Sequence, residues 1–475
     1  MGAVDTSAAT SVRPPAAATR LGRAEILFAI AAFAALCAVA LSFAPHLVEP
    51  DDYAYQASTV GITAGHWLTL STAQADALGQ QLADPGSGGA VSPLVQWVQL
   101  ASGRWISEKD PGYPFLAAPF QALGIIRLAP LCYGALGCLG LFFGARRWLG
   151  RFGGGAAVGL FCTSGAALLF AWRDYMPTFT DASLIAAGTG ALLWAVLAAE
   201  ATTRRRIVAG LAGFVALEAA VFTRYTDILV LGCAAVAVVV AWRLRQVPAV
   251  ALAWWLGSAA AFGVGVAVFD GLVYGGPLRS GYRPGEIQFS LSALGPNFRY
   301  MPAHLLEAMP MLVLALAAVV WIIARWARWA RRARRRQADG EPAALARRDF
   351  AVGLALAASW LGVWALYFAY TWTANSFVTT LQSARFYVPA IGAMALLGAW
   401  LLVHVPGRPA LAAATSVAVV AALFGLGLWS FGDMRVNQGP GRGIIGHLQP
   451  VPAGTPQIAP AAQAAHGTVR YDGID

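Results

Sequence analysis

The sequence is almost without lysine. Of its 33 lysine and arginine residues, Lys109 alone is a lysine. Charge of either sign is scarce, at 12% of 475 residues, where a soluble domain carries about a quarter. That scarcity excludes an ordinary soluble globular domain. Cysteine is also sparse. Cys37, Cys132, Cys138, Cys162 and Cys233 all sit inside apolar runs, which argues against a disulfide framework or a metal cluster. His46 and His66 lack a metal-ligand spacing. The chain shows no glycine-rich nucleotide loop and no internal repeat at a fixed period. Basic clusters fall between apolar runs, so nucleic-acid binding is a poor account of the net charge of +10.

What the sequence has is apolar length. It is 58% apolar, with a mean hydropathy of +0.60. Windows of about 20 residues predict an all-α polytopic membrane protein of 11 spans. These fall near residues 24–44, 127–147, 154–172, 182–200, 207–223, 228–242, 249–270, 305–324, 350–371, 386–404 and 410–430. Residues 113–124 are apolar but too short to span, and Pro119 interrupts them. They are expected to lie along the membrane interface. Residues 1–23 read as a disordered cytoplasmic tail, followed by an uncleaved signal anchor.

Arginine placement sets the orientation. With the N-terminus inside, 21 of the 33 cations fall in inner segments, nine of them between Arg325 and Arg348. Of the 23 acids, 16 fall outside. The plasma (inner) membrane is the expected location. The outer segments are residues 45–126, 271–304 and a tail, 431–475, rich in Gly, Pro and Ala. The body is residues 24–430. Heavy use of Ala, Gly and Arg suggests a GC-rich bacterial genome.

The outer segments collect the chemistry. Glu49-Pro50-Asp51-Asp52-Tyr53-Ala54-Tyr55 follows the first span, and the same loop ends in Glu108-Lys109-Asp110-Pro111-Gly112-Tyr113-Pro114. Adjacent carboxylates at a membrane boundary must be hydrated, paired or bound to a cation. Two close carboxylates also raise each other's proton affinity, which suits one of them to act as a base. Cations near span ends, such as Arg127, Arg173, Arg224, Arg279, Arg283 and Arg385, lie at the depth of lipid phosphates. Carboxylates can take a proton from a hydroxyl, and cations can stabilise a phosphate leaving group. Together they suit transfer of a group from a lipid phosphate to a hydroxyl.

The order of these features resembles the C-type glycosyltransferases (GT-C superfamily), in the polyprenyl-phosphate-sugar-dependent branch that holds protein O-mannosyltransferases and the lipid A aminoarabinose transferase. The matching elements are Asp51-Asp52 after span one, Lys109-Asp110-Pro111 with Tyr113, and Asp181 between spans three and four. Gly275-Gly276-Pro277-Leu278-Arg279-Ser280-Gly281-Tyr282 and Arg385-Phe386-Tyr387-Val388-Pro389 complete the set. Asp110 stands where that family usually has the first proline of a Lys-Pro-Pro motif, and the C-terminal soluble domain of several relatives is missing.

The resemblance implies a GT-C-like bundle with interfacial helices in the first outer loop. It implies an inverting hexosyl- or pentosyltransferase that takes a sugar from a polyprenyl-phosphate donor on the periplasmic or extracellular face. The acceptor would be a cell-envelope glycan, lipid or protein. Asp51 is the expected base and Asp52 its positioning neighbour. Lys109, Arg385, Arg279 and Arg283 are expected on the donor phosphate, and Tyr55, Tyr113, Asp181 and Tyr282 on substrate. No cofactor is expected, with a divalent cation at Asp51/Asp52 as the alternative. Simpler structural roles compete with several of these. Lys109 can pair with Glu108 or Asp110, Arg173 with Asp174, and Arg224 with Asp227, while Glu218 lies within a span. Two other functions compete: a transporter or flippase of lipid-linked or polar solutes, and an O-antigen-ligase-like glycan transferase.

Overall fold

The computed structural model describes residues 22–44, 47, 50–66, 68–82, 96–100, 102–282, 287–334, 341–374, 381–404 and 409–436. Arg283, most of the N-terminal segment 1–23 and the tail beyond Val436 lie outside the described residues.

The chain opens with α1 (Arg23–Ser42), an apolar helix long enough to cross a membrane. The next segment, expected as loop up to residue 112, is instead built. It contains α2 (Pro50–Thr63), β1 (Thr69–Leu70), α3 (Thr72–Leu82), β2 (Trp97–Gln99), β3 (Trp105–Ser107) and α4 (Gly112–Ala122). Proline at the first position and acids in the first turn favour a helix start, which is how α2 begins at Pro50-Asp51-Asp52. The strands form one antiparallel sheet in the order β1-β3-β2, with Val98 opposite Ile106 and Thr69 opposite the same residue. Gly103, at φ +78°, turns the β2–β3 connection, where Leu100 N donates to Arg104 O at 2.7 Å. The sheet is a small addition to an otherwise helical chain, and Ala54, Ala57, Leu70, Leu78 and Trp97 give the segment its own small core.

The body continues with α5 (Ala129–Leu149), α6 (Gly153–Cys162), α7 (Gly165–Trp172), α8 (Thr178–Leu197), α9 (Thr203–Thr223), α10 (Ile228–Arg243) and α11 (Ala249–Tyr274). It ends with α12 (Leu294–Ala308), α13 (Leu312–Arg334), α14 (Glu341–Phe368), α15 (Ile391–His404) and α16 (Pro409–Val436). Nine helices among the described residues are long and apolar enough to span a membrane. The pair α6–α7 is apolar enough to span only if its two helices, bent by 64°, are taken together, and Val388–His404 is a shorter apolar helix in the place of another expected span. The expected continuous span 154–172 is therefore broken. Ser164 makes the break by accepting a hydrogen bond from Ala167 N at 3.1 Å, which starts a new helix. Likewise the expected span 305–324 is divided between α12 and α13, around Met309-Pro310-Met311.

The buried centre is α6, α7 and α15, whose residues are almost all inaccessible. Around it α5 packs against α8 at backbone distance. A Cβ on Gly190 would lie 2.1 Å from Gly140 O, so glycine is required there. By contrast α11 turns nearly all of its surface outward, with only 6% of its span window buried. The helices α13 and α14 run away from the α2–α4 segment and back. They carry Arg325, Arg328 and Arg331 at the far end and return Tyr367 and Phe368 to the near one.

Candidate active site

Asp51 occupies the first turn of α2 and points at two cations. Lys109 Nζ lies 3.0 Å from its Oδ1, and Arg385 Nη2 lies 3.0 Å from its Oδ2. The three residues come from α2, the end of the hairpin β2–β3, and the 3-10 turn Leu381–Phe386. Positions 51, 109 and 385 are thus brought together from opposite ends of the sequence. Asp51 keeps 15% of its side chain exposed, while Lys109 and Arg385 keep 8% and 9%. The carboxylate is the accessible member of the trio.

Each cation is fixed by its surroundings. The Lys109 backbone N–H donates to Ser107 Oγ at 3.1 Å, tying it to β3. Its ammonium sits 3.4 Å from the Tyr282 hydroxyl and 5.0 Å from the centre of that ring. The loop carrying Tyr282 reaches this far because residue 281 is glycine. A Cβ there would lie 2.6 Å from Glu108 Cα and from Ser107 O. Arg385 stacks near Phe386 and Trp372, at 4.8 and 5.5 Å, and Arg224 Nη1 donates to its carbonyl at 3.2 Å.

Asp52 faces the other way. It is buried and accepts a charge-assisted hydrogen bond from Arg173, itself only 1% exposed. The expected pairing of Arg173 with its neighbour Asp174 is thus replaced by a bond across the fold. The two carboxyls face different cations, Asp51 those of Lys109 and Arg385 and Asp52 that of Arg173. Burial pushes the Asp51 carboxyl up, but Lys109 and a hydrogen bond from Gln96 outweigh it and hold it below the ordinary carboxylate value. Burial opposes the charge on Lys109 as well, and Asp51 overcomes it, raising the ammonium above its usual value. Gln96 itself has φ +62°, a left-handed conformation uncommon for a residue with a Cβ.

A second buried layer lies behind the first. Asp181 is fully buried, and Arg224 Nε approaches it at 4.0 Å. Arg224 therefore reaches beyond the neighbouring Asp227. Asp110 is pushed up to about 7 by burial, against the opposing pull of the Tyr225 backbone N–H, Lys109 and Arg224. Asp174, in the loop before α8, is also pushed up to about 7 by burial.

The remaining expected residues divide. Tyr282 joins the cluster. Tyr55 of α2 and Tyr113 of α4 are buried edge-to-face at 5.8 Å, and the Tyr113 hydroxyl donates to the Asp174 carbonyl, so the pair joins α2 to α4. Arg279 is exposed and, among the described residues, forms no ion pair with the cluster. Arg127 donates to the carbonyls of Ala40, Leu41 and Phe43 and closes the end of α1. Sequence reasoning missed Gln96 and the Asp52–Arg173 bond. Neither has a signal in spacing, because both depend on how the hairpin and the α7–α8 loop fold onto α2. Glu218 accepts from Ser258 Oγ at 2.9 and 3.2 Å, which accounts for a carboxyl inside a span. Among the described residues no group of three or more His, Cys, Asp or Glu side chains could hold a metal ion. Asp51 and Asp52 engage separate cations, and in this arrangement they do not gather round a common ion.

No family model matches the sequence, and no curated protein matches it. Solved structures do match in three dimensions. The apo form of the Archaeoglobus fulgidus oligosaccharyltransferase aligns with a TM-score of 0.50 at 12% identity, over 95% of this chain. That alignment takes in 60% of the oligosaccharyltransferase, so this chain spans less than two thirds of its length. ArnT from Cupriavidus metallidurans in the apo state aligns with a TM-score of 0.49 at 15% identity, over 93% of this chain and 74% of ArnT. This chain and the oligosaccharyltransferase share a fold. The likeness is one of architecture, and the polytopic helical bundle expected from the sequence is the bundle found.

Proposed function

We propose that this chain is an integral-membrane inverting glycosyltransferase that moves a sugar from a polyprenyl-phosphate donor to a hydroxyl acceptor. The observation that carries this reading is Asp51, partly exposed and bridging two buried cations at 3.0 Å each. A carboxylate beside a cation pair is what such a reaction needs. The GT-C fold, and the arginines at the far end of α13, support a site on the outer face of the plasma membrane.

The acceptor oxygen attacks the anomeric carbon from the face opposite the phosphate and forms the new glycosidic bond. Asp51 takes the hydroxyl proton. The bond from carbon to phosphate oxygen breaks, and its electron pair leaves with polyprenyl phosphate. That leaving group is a weak base and needs charge stabilisation rather than a proton, which Lys109 and Arg385 supply. Asp52 acts through Arg173 to hold the start of α2, and Tyr282 packs over Lys109. Arg279 and, outside the described residues, Arg283 are proposed to contact the donor phosphate. The exposed surface of α11 suits the prenyl chain, since it offers apolar contact at the depth of lipid.

The test is sugar transfer from radiolabelled polyprenyl-phosphate sugars in membranes, comparing wild type with Asp51→Asn and Asp52→Asn. Loss of transfer by a factor of about 100 or more in Asp51→Asn, with protein level retained, supports the assignment. Transfer at the wild-type rate in both variants removes the acid pair from the mechanism. No transfer by wild type from any donor of this class removes the reading itself.

A further inference from the structure

The two cations that suit a phosphate are already holding an anion. Both oxygens of Asp51 are engaged, one by Lys109 and one by Arg385, each at 3.0 Å. The cations are held by groups other than Asp51. Lys109 is tied to Ser107 and covered by Tyr282, and Arg385 is held through its carbonyl by Arg224 and flanked by Phe386 and Trp372. Asp51, by contrast, sits at the very start of α2 and is the most exposed of the three. If a phosphate enters between the two cations, the carboxylate is the group that gives way.

We infer that Asp51 is an internal anion that fills the donor-phosphate site while it is empty, and that donor phosphate displaces it and so frees it to act as the base. This rests on the proposed donor class. It resolves a difficulty in that proposal, since a carboxylate held by two cations is a poor proton acceptor. When the phosphate takes over Lys109 and Arg385, the same carboxylate loses these two cationic partners and gains proton affinity beside the anomeric carbon. Base strength then appears only in the donor complex. The device also keeps two buried cations compensated between turnovers, where leaving them bare is costly.

The inference makes an unusual demand on affinity. Neutralising Asp51 must strengthen binding of the phosphate while it stops turnover. The probe is geranylgeranyl phosphate, with its dissociation constant measured by calorimetry on the detergent-solubilised full chain, alongside its shift of the thermal midpoint. Asp51→Asn and Asp51→Ser are expected to bind it about tenfold or more tightly than wild type, because they remove the anion that competes for the two cations. Asp51→Glu keeps the charge and is expected to stay near the wild-type affinity. Serine also suits the start of a helix, so it gives a second neutral background if the asparagine variant folds poorly. Wild-type binding with equal or weaker binding in both neutral variants overturns the inference and leaves the donor reading standing. No binding by wild type or by any variant overturns both.

Discussion

Lys109 Nζ and Asp51 Oδ1 lie 3.0 Å apart across 58 residues of sequence, and the lysine in that pair is the sole lysine of the chain. An arginine-rich chain that keeps one lysine has a use for a compact ammonium where a guanidinium is too large. Lys109→Met is expected to lower kcat/KM for a polyprenyl-phosphate sugar by about 100-fold, as for loss of one buried charge-assisted contact. Lys109→Arg is expected to restore only part of it. Steady-state transfer rates at varied donor concentration check both.

Asp52 and Arg173 make a different kind of pair, buried on both sides at 3% and 1% exposure. Its removal is a stability matter. Asp52→Leu removes the carboxylate bonded to a buried guanidinium, and Arg173→Met removes the guanidinium bonded to a buried carboxylate. Each is expected to cost about 3–5 kcal/mol. The double variant is expected to regain most of that loss, since no charge is then stranded. Thermal unfolding in detergent of the two single variants and the double variant measures the coupling. Additive losses would mean that the two side chains act independently.

Asp110 sets a pH dependence of known sign. Its folded-state value, about 7, lies above the ordinary carboxylate value because burial disfavours the charge. Lys109, Arg224 and the Tyr225 backbone N–H oppose the shift, and Asp227 adds to it. Below about pH 4 the carboxyl is protonated in both states and contributes no difference. From there to about pH 7 the unfolded chain has released a proton that the folded chain keeps, so stability falls as pH rises, by up to about 4 kcal/mol. Above pH 7 this contribution is flat. Asp174, also at about 7, adds a loss of the same sign. Asp110→Asn is expected to raise the thermal midpoint at pH 8 and leave it little changed at pH 4, giving a shallower midpoint-against-pH curve than wild type.

Most of the spans were legible because a membrane imposes a long apolar period that sequence displays directly, whereas the break in 154–172 and the division of 305–324 rest on local turns within apolar runs. The members of the Asp51 cluster were legible for a related reason, since charges at a membrane boundary are few enough to stand out. Their pairing was not. Lys109 reads as a partner of Glu108 or Asp110 because those are adjacent, yet it turns to Asp51. Arg173 reads as a partner of Asp174, yet it crosses to Asp52. Helix α2 was read as loop because its mixed composition lacks a clear apolar stripe, and it is positioned by the hairpin and α4 packed against it. Tyr113 also reads as isolated in sequence, yet its hydroxyl donates to the Asp174 carbonyl 61 residues away.

Gly281 tests whether Tyr282 must reach the cluster. The residue sits against the β3 exit so closely that a Cβ would lie 2.6 Å from Glu108 Cα and Ser107 O, both backbone atoms that cannot turn aside. Gly281→Ala therefore has to move the loop away from the hairpin, carrying Tyr282 away from Lys109. The stability cost of such overpacking is about 1–3 kcal/mol and leaves the bundle folded. Loss of the Tyr282 cover exposes the Lys109 ammonium to water and weakens its hold on an anion. The expected result is a higher KM for the polyprenyl-phosphate donor, by about tenfold, with the thermal midpoint lowered by only a few degrees. Tyr282→Phe separates the two parts of the contact, since it keeps the ring 5.0 Å from the ammonium and removes only the hydroxyl at 3.4 Å. It is expected to behave far more like wild type than Gly281→Ala does. Equal KM values for Gly281→Ala and wild type would show that the loop from 275 to 282 packs on the hairpin without serving the phosphate site.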